Sequence, residues 1–386
     1  MKVLRRHGSS PSTATGRMYG WVVGLWRAHR VAVSVGVLVV LLALTASALH
    51  QRVLTRDPEA SAVRVSLQER AQRAFSPDSW WNTPLPDDPP LHPHGAEILS
   101  YLATGPQSRQ GCLRLAGVHD HWGIPTFWAV PTDPAYDVTS TGHTLPPEFD
   151  SLRIPHDAEP AANTDGNMTV YDFDKGYVVA LEQASYDADR GVWSASGGTV
   201  TYLDSNGLEA RTGRSDDRRN RGTHRGNNAA VMAVSVDQVN EGAIEHVLKM
   251  AAGPPVADRH VFPMIGSDGP YRGSDPAVPA QGTRLRIKPS VDLDSLGLPP
   301  QALVIARSLQ RYGTYIGDSG GSTALKVEDT RAEGRGEMWN LEPDSLCALP
   351  FDPRFWDVVA EGYDPTRSGG STTDGSATGA PSEGRS

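Results

Sequence analysis

The sequence predicts a mainly β fold, a single sandwich or jelly-roll-like domain with a few short helices, following an N-terminal transmembrane helix. Three observations point there. Many short apolar runs are broken by Gly, Pro, Asn and Asp; only one long helical pattern stands among them; and a single uncharged apolar stretch lies near the N-terminus.

That stretch, residues 31–49 (VAVSVGVLVVLLALTASAL), approaches the ~20 apolar residues needed to cross a bilayer as a helix. Ahead of it, residues 1–30 carry Lys2, Arg5, Arg6, Arg17, Arg27 and Arg30 and no acid. Such a bias keeps a segment cytoplasmic and sends the following chain outside. The small residues Ala46 to Ala48 would suit cleavage as a secretory signal, but the basic segment is long for one, which favours an uncleaved signal-anchor. The expected location is therefore the cell membrane, single-pass with the C-terminal domain outside, or secreted if cut after Ala48.

Residues 50–74 are polar and read as a stalk. From Phe75 the character changes, and the segment SPDSWWNTPLPDDPPLHP that follows it, with two tryptophans and six prolines, suits an extended strap laid across a folded surface. Strand patterns are expected at 126–130, 168–173, 177–186, 192–203, 246–251, 260–265, 283–288, 314–317 and 323–327. The main helix is expected at 299–312, opened by prolines and closed by Gly313, with shorter ones at 96–103 and 353–361. No internal repeat divides residues 75–364, so they read as one domain, and residues 365–386 have no apolar content to bury and read as a disordered tail.

Beyond residue 49 the chain holds 30 basic and 45 acidic side chains, a net charge of −15. This argues against a nucleic-acid partner. Cys112 and Cys347 are expected to pair in an oxidising compartment. Their spacing is not that of a metal site, and no cofactor is expected.

Several blocks occur in succession: PHDAEPAANTDGNMTVYDFDKGYVVALEQA, GVWSASGGTVTYLDSNGL, VDQVNEGAIEHVLKM, RHVFP, AQGTRLRIKPSVDLDSLGL and ARSLQRYGTYIGDSGG. This succession resembles a widespread group of secreted bacterial proteins. The resemblance spans about residues 75–360 and implies a β-rich fold, an extracytoplasmic location and a suspected glycan-directed role. It brings no assigned catalytic residues.

The candidate residues follow from chemistry. Alternation along 177–186 places Glu182 with Val178, Ala180 and Ala184, a small-residue face with room for a ligand, and Trp193 on the next strand could stack on a sugar ring. Asp165 and Asp318 are carboxylates at strand ends, and glycoside hydrolysis needs two carboxyl groups facing one bond. Arg284, Arg286 and Lys288 share one face of a strand, either a cationic ladder for an anionic glycan or a solvated face paired with acids. His246 and His260 are either satisfied structural histidines or proton-transfer groups, and His246 with Arg284 would suit a lyase. The arginines between 211 and 225 read as a basic surface loop.

The leading expectation is a membrane-anchored glycoside hydrolase or polysaccharide lyase acting on a cell-envelope or extracellular polysaccharide, with Glu182, Asp165, His246 and Arg284 catalytic and Trp193, Arg286, Lys288, His260 and Asp318 binding substrate. The alternative is a non-catalytic glycan-binding protein. A third reading, a trypsin-like protease with Ser319 as nucleophile, rests on Gly317-Asp318-Ser319-Gly320-Gly321, which lacks the histidine context of that family.

Overall fold

A computed structural model describes residues 74–222, 225–226 and 233–367. The expected cytoplasmic segment, membrane span, stalk and tail lie outside these residues, apart from positions at their edges. Among the described residues no helix is long and apolar enough to cross a membrane.

The architecture is mainly β, with few short helices. Eleven strands build two principal sheets: β1 (Arg114–Ala116), β2 (Thr126–Ala129), β3 (Met168–Asp172), β4 (Tyr177–Glu182), β5 (Gly197–Tyr202), β6 (Ala233–Val234), β7 (Leu248–Ala252), β8 (Arg284–Ile287), β9 (Thr314–Ser319), β10 (Ala324–Val327) and β11 (Trp356–Val358). The larger sheet runs β1-β10-β7-β9-β8-β11, with β6 also paired to β10; the smaller runs β5-β4-β3-β2.

This topology corrects the jelly-roll expectation. Strands β1 and β10, β6 and β10, β7 and β9, and β2 and β3 pair in parallel. A jelly roll is antiparallel throughout. Parallel neighbours need long crossovers; those connections hold the helices α2 (Val236–Glu241) and α3 (Pro300–Arg311), while α1 (Gly95–Thr104) precedes β1.

The helices explain the main core. Ile98, Leu99 and Leu102 of α1 and Ala302, Ile305 and Leu309 of α3 join Leu248, Met250, Leu285, Ile287, Ile316 and Leu325, one face of the larger sheet. Helix α3 begins at the expected prolines. Gly313 follows it with φ +75°, and a Cβ there would lie 2.4 Å from the Leu285 carbonyl, so glycine is required both for the turn and for the close approach. A second core lies on the smaller sheet, where Tyr177, Val179 and Leu181 pack with Phe149, Leu152 and Trp193.

Other expectations need correction. Residues 353–361 form no helix: Trp356 and Val358 are buried alternately and β11 pairs with β8. The run 177–186 breaks at Gln183, whose φ of +47° ends the pleat, so Ala184 turns to the second core while Val178 and Ala180 keep the opposite face. Residues 192–203 divide into Val192–Ala195 and Gly197–Tyr202. The strand placed at 260–265 is found instead at Ala257–His260.

The Trp-Pro strap is where the sequence puts it, and it covers the larger sheet. Trp80 packs edge-on to Tyr315, Trp81 stacks on His246, and the Leu85 amide donates to the Arg311 carbonyl. The predicted disulfide Cys112–Cys347 is present and closes 235 residues of chain.

Candidate functional site

A break in strand pairing creates the candidate site. In β7 and β9, Lys249 faces Tyr315 and Met250 faces Ile316, but Ala251 faces Asp318, leaving Gly317 as an extra residue. With a continuous register Asp318 would share the face of Ile316 and enter the helix-packed core. The bulge turns it to the other face, with Lys249 and Ala251. Gly317 is needed there for space: a Cβ would sit 2.5 Å from Lys249 Cε and 2.7 Å from its Cγ. Lys326 of β10 shares this face, because its neighbours Leu325 and Ala324 oppose Met250 and Ala251.

The smaller sheet meets this face across Ile124, Ala180 and Ala233. Small residues permit the approach, and Glu182 at the end of β4 comes within electrostatic range of Arg225, His143, Asp318 and Lys249. The sheets are tied by Lys326 Nζ, which donates to Asp165 Oδ2 at 3.1 Å.

Around Asp318 the contacts are charged. Arg225 Nη2 donates to Asp318 Oδ1 at 2.6 Å and lies 3.4 Å from Asp268 Oδ2. Ser319 Oγ donates to Asp268 Oδ1 at 3.0 Å, and the Gln281 side-chain amide donates to the same carboxylate. Lys249 Nζ stands 3.8 Å from Asp318 Oδ2, with 2% of its side chain exposed. Together Lys249, Met250, Ala251, Asp318 and Lys326 line a narrow cleft with room for about one water molecule.

Two groups here have altered acidity. Burial pushes the Glu182 carboxyl above its ordinary range, and nearby Asp318 adds to this against Arg225, His143 and Lys249. Its Oε1 is buried without a hydrogen-bond partner. Burial also pushes Lys249 down from 10.5 to about 7; the attraction of Asp318 opposes this, but Arg225 and Lys326 add to it. The Lys249 ammonium too has no hydrogen-bond partner. Perturbed acids and bases converging in a cleft mark functional sites. Among the described residues no group of three or more His, Cys, Asp or Glu is placed to hold a metal ion.

No protein-family model, curated protein or solved structure matches this chain. The functional reading therefore rests on the residues themselves.

Of the sequence candidates, Glu182, Asp165 and Asp318 come together. The others do not. His246 is buried, its Nδ1 at 2.8 Å from the Val247 carbonyl and its Nε2 at 3.0 Å from Gln238 Oε1, which makes it a satisfied core histidine. Arg284 is buried over the Trp80 ring with its Nε donating to the Tyr312 carbonyl. Arg286 donates to the Pro86 and Asp87 carbonyls and to Asp357, which Lys288 also approaches, at 3.6 Å. The cationic ladder is thus covered by the strap and by β11. Its two arginines are closed to a glycan, and only Lys288 keeps partial exposure. Trp193 is buried beside Tyr136 and Tyr186 in the second core, off the Glu182 face, and is no sugar platform.

His260 ends its strand opposite Gln281, at the margin of the site. Ser319 touches Asp268, and no histidine contact to it occurs among the described residues, so the protease arrangement is not formed. The basic loop is mostly neutralised: Arg211 pairs with Glu209, Arg214 with Asp364, Arg219 with Asp217 and Arg221 with Glu148.

Sequence reasoning missed Lys249, Lys326, Asp268 and Trp122. The lysine in the short strand Leu-Lys-Met-Ala-Ala was the available signal, since a charge inside a short apolar strand needs a reason. Trp122 is 44% exposed in a turn fixed by Asp120 Oδ1, which accepts from the Gly117 and Trp122 amides. Asn163 links the two loops, donating to the His121 carbonyl and accepting from the Asp165 amide. The Trp122 loop is thereby tied to the loop that carries Asp165.

Proposed function

We propose that this protein hydrolyses glycosidic bonds in an extracellular or cell-envelope polysaccharide, acting outside the membrane from an N-terminal anchor. The supporting observation is the contrast between two neighbouring carboxyl groups. Glu182 sits in a desolvated position that favours its protonated form, whereas Asp318 is the anionic partner of Arg225. Pairs of carboxyls held in opposite environments supply the acid and the base of glycoside hydrolysis.

In this mechanism Glu182 donates its proton to the glycosidic oxygen as the bond to the anomeric carbon breaks. Asp318 either attacks that carbon or deprotonates the attacking water, and the anomeric configuration of the first product tells which. Arg225 holds the Asp318 carboxylate in place, and Arg225 is itself shared with Asp268. Trp122, on the loop tied to that of Asp165, offers an exposed ring on which a flanking sugar can stack.

Glu182→Gln keeps the shape of the side chain and removes its proton. Loss of general-acid catalysis lowers rates by about 10²- to 10⁴-fold. Because the acid must be protonated, activity falls as pH rises through the elevated Glu182 pKa, and this limb should vanish from the residual activity of the Gln variant. Products absorbing as unsaturated uronates would indicate elimination instead, and binding without product would indicate a carbohydrate-binding module.

A further inference from the structure

Away from the cleft, the segment leaving β10 carries two carboxyl groups that the chemistry of Glu182 and Asp318 does not use. Glu328 and Glu333 lie on loop 328–336, each with 2% of its side chain exposed. Glu328 Oε2 accepts from the Val236 amide at the start of α2 at 2.9 Å, and Glu333 Oε1 accepts from the Thr126 amide at the start of β2 at 2.8 Å. One loop thus joins both sheets, continuing β10 of the larger and bonding to β2 of the smaller.

Arg335 is the cation between the two glutamates. Its Nη1 donates to Glu328 Oε1 at 2.9 Å and to Glu333 Oε2 at 3.2 Å, while its Nη2 donates to Asp237 Oδ1 of α2 at 2.7 Å. Fully ionised, three carboxylates would face one guanidinium, two of them sealed from water. The glutamates also hydrogen-bond each other, which two carboxyl groups can do only with a proton between them. Burial, then the charge of Glu328, pushes Glu333 well above the ordinary carboxyl range, against the Thr126 amide and Arg335; burial raises Glu328 as well. Tyr171 of β3 faces Glu328 too, its hydroxyl pushed up by burial and by that charge.

The same loop holds a second segment. Arg331 Nη2 donates to the Gly117 carbonyl at 3.3 Å and to the Asp120 carbonyl, and so grips the turn that carries Trp122. Withdrawal of Glu333 from β2 would loosen that turn.

We propose that Glu328 and Glu333 share one proton and form a pH-sensitive latch: with the proton in place, loop 328–336 is seated on β2 and holds the Trp122 turn, and with the proton lost both are released. The latch is separate from Glu182 and Asp318 and does not depend on their role. Between the ordinary carboxyl pKa and the raised one, the folded chain keeps a proton that the unfolded chain has given up, so the latch weakens as pH rises through this window.

Hydrogen–deuterium exchange, read by mass spectrometry on the full-length chain in mild detergent, tests the latch. In Glu333→Gln the amide oxygen can accept from Thr126 while its nitrogen donates to Glu328, which reproduces the protonated pair at every pH. Wild type and variant are labelled side by side, so that the intrinsic pH dependence of exchange cancels. Peptides covering 117–126 and 328–337 should exchange alike in the two proteins at about pH 5, and about ten-fold or more faster in wild type at about pH 9, while helix α3 shows no such divergence. Should Glu333→Gln not fold, Glu328→Gln takes its place and must likewise remove the pH dependence. The latch is overturned if the ratio between the proteins stays constant with pH, if α3 diverges in step with the loop, or if the glutamine variant leaves the loop open at acidic pH.

Discussion

Lys249→Met should stabilise the fold at neutral pH, because the wild-type lysine keeps a charge where the structure disfavours one. Its pKa falls from 10.5 to about 7 on folding, which corresponds to about 5 kcal/mol of destabilisation once both states are protonated. The sign follows from proton counts. Between pH 7 and 10.5 the unfolded chain holds the Lys249 proton and the folded chain has released it, so wild-type stability rises with pH across this window. Below pH 7 the penalty is complete. Methionine matches the aliphatic stem and removes the charge, and replacing buried charges by apolar groups often gains ~1–4 kcal/mol. Urea unfolding followed by tryptophan fluorescence, for wild type and variant at matched pH, measures the difference. The variant's advantage should be greatest below pH 7 and shrink by about 1.4 kcal/mol for each pH unit above it. A variant less stable than wild type at pH 7, or a difference constant with pH, would refute the reasoning and make Lys249 a stabilising partner of Asp318.

Three further outcomes are expected. Gly317→Ala drives a methyl group into the Lys249 stem and should cost about 1–3 kcal/mol, as overpacking does, with a disproportionate loss of activity; adding Lys249→Ala should recover most of the stability in the same unfolding assay. Replacing Cys112 and Cys347 by alanine opens a loop of 235 residues and should lower stability by about 2–5 kcal/mol, read from urea unfolding with the slope fitted separately for each protein, since the uncrosslinked unfolded chain is less compact. Trp122→Ala should leave the unfolding transition within about 0.5 kcal/mol of wild type, since the side chain is largely exposed, while weakening glycan binding several-fold in titration.

The sequence made the individual strands legible more readily than their neighbours. Strands β3, β8 and β10 and helix α3 lie within a residue or two of their expected limits, because their periodicity is local. The parallel pairings of β7 with β9 and β2 with β3 depend on contacts far apart in the chain, which local patterns do not carry. The arginine ladder shows the same division. Alternation placed Arg284 and Arg286 on one face correctly, and composition identified the Trp-Pro strap, but nothing in either segment said that one covers the other. Glu182 and Asp165 could be found from strand ends and a small-residue face. Lys249 could not be assigned to the same site, because a bulge at Gly317 and a second sheet are both needed to bring the partners together.

The most direct test is the release of reducing ends from neutral and acidic polysaccharides by the full-length chain, measured beside Glu182→Gln. Wild type should generate new ends from at least one polymer, and the variant should do so about 10²- to 10⁴-fold more slowly while still binding it. No new ends from any polymer, or equal rates in the two proteins, would contradict the role given to Glu182.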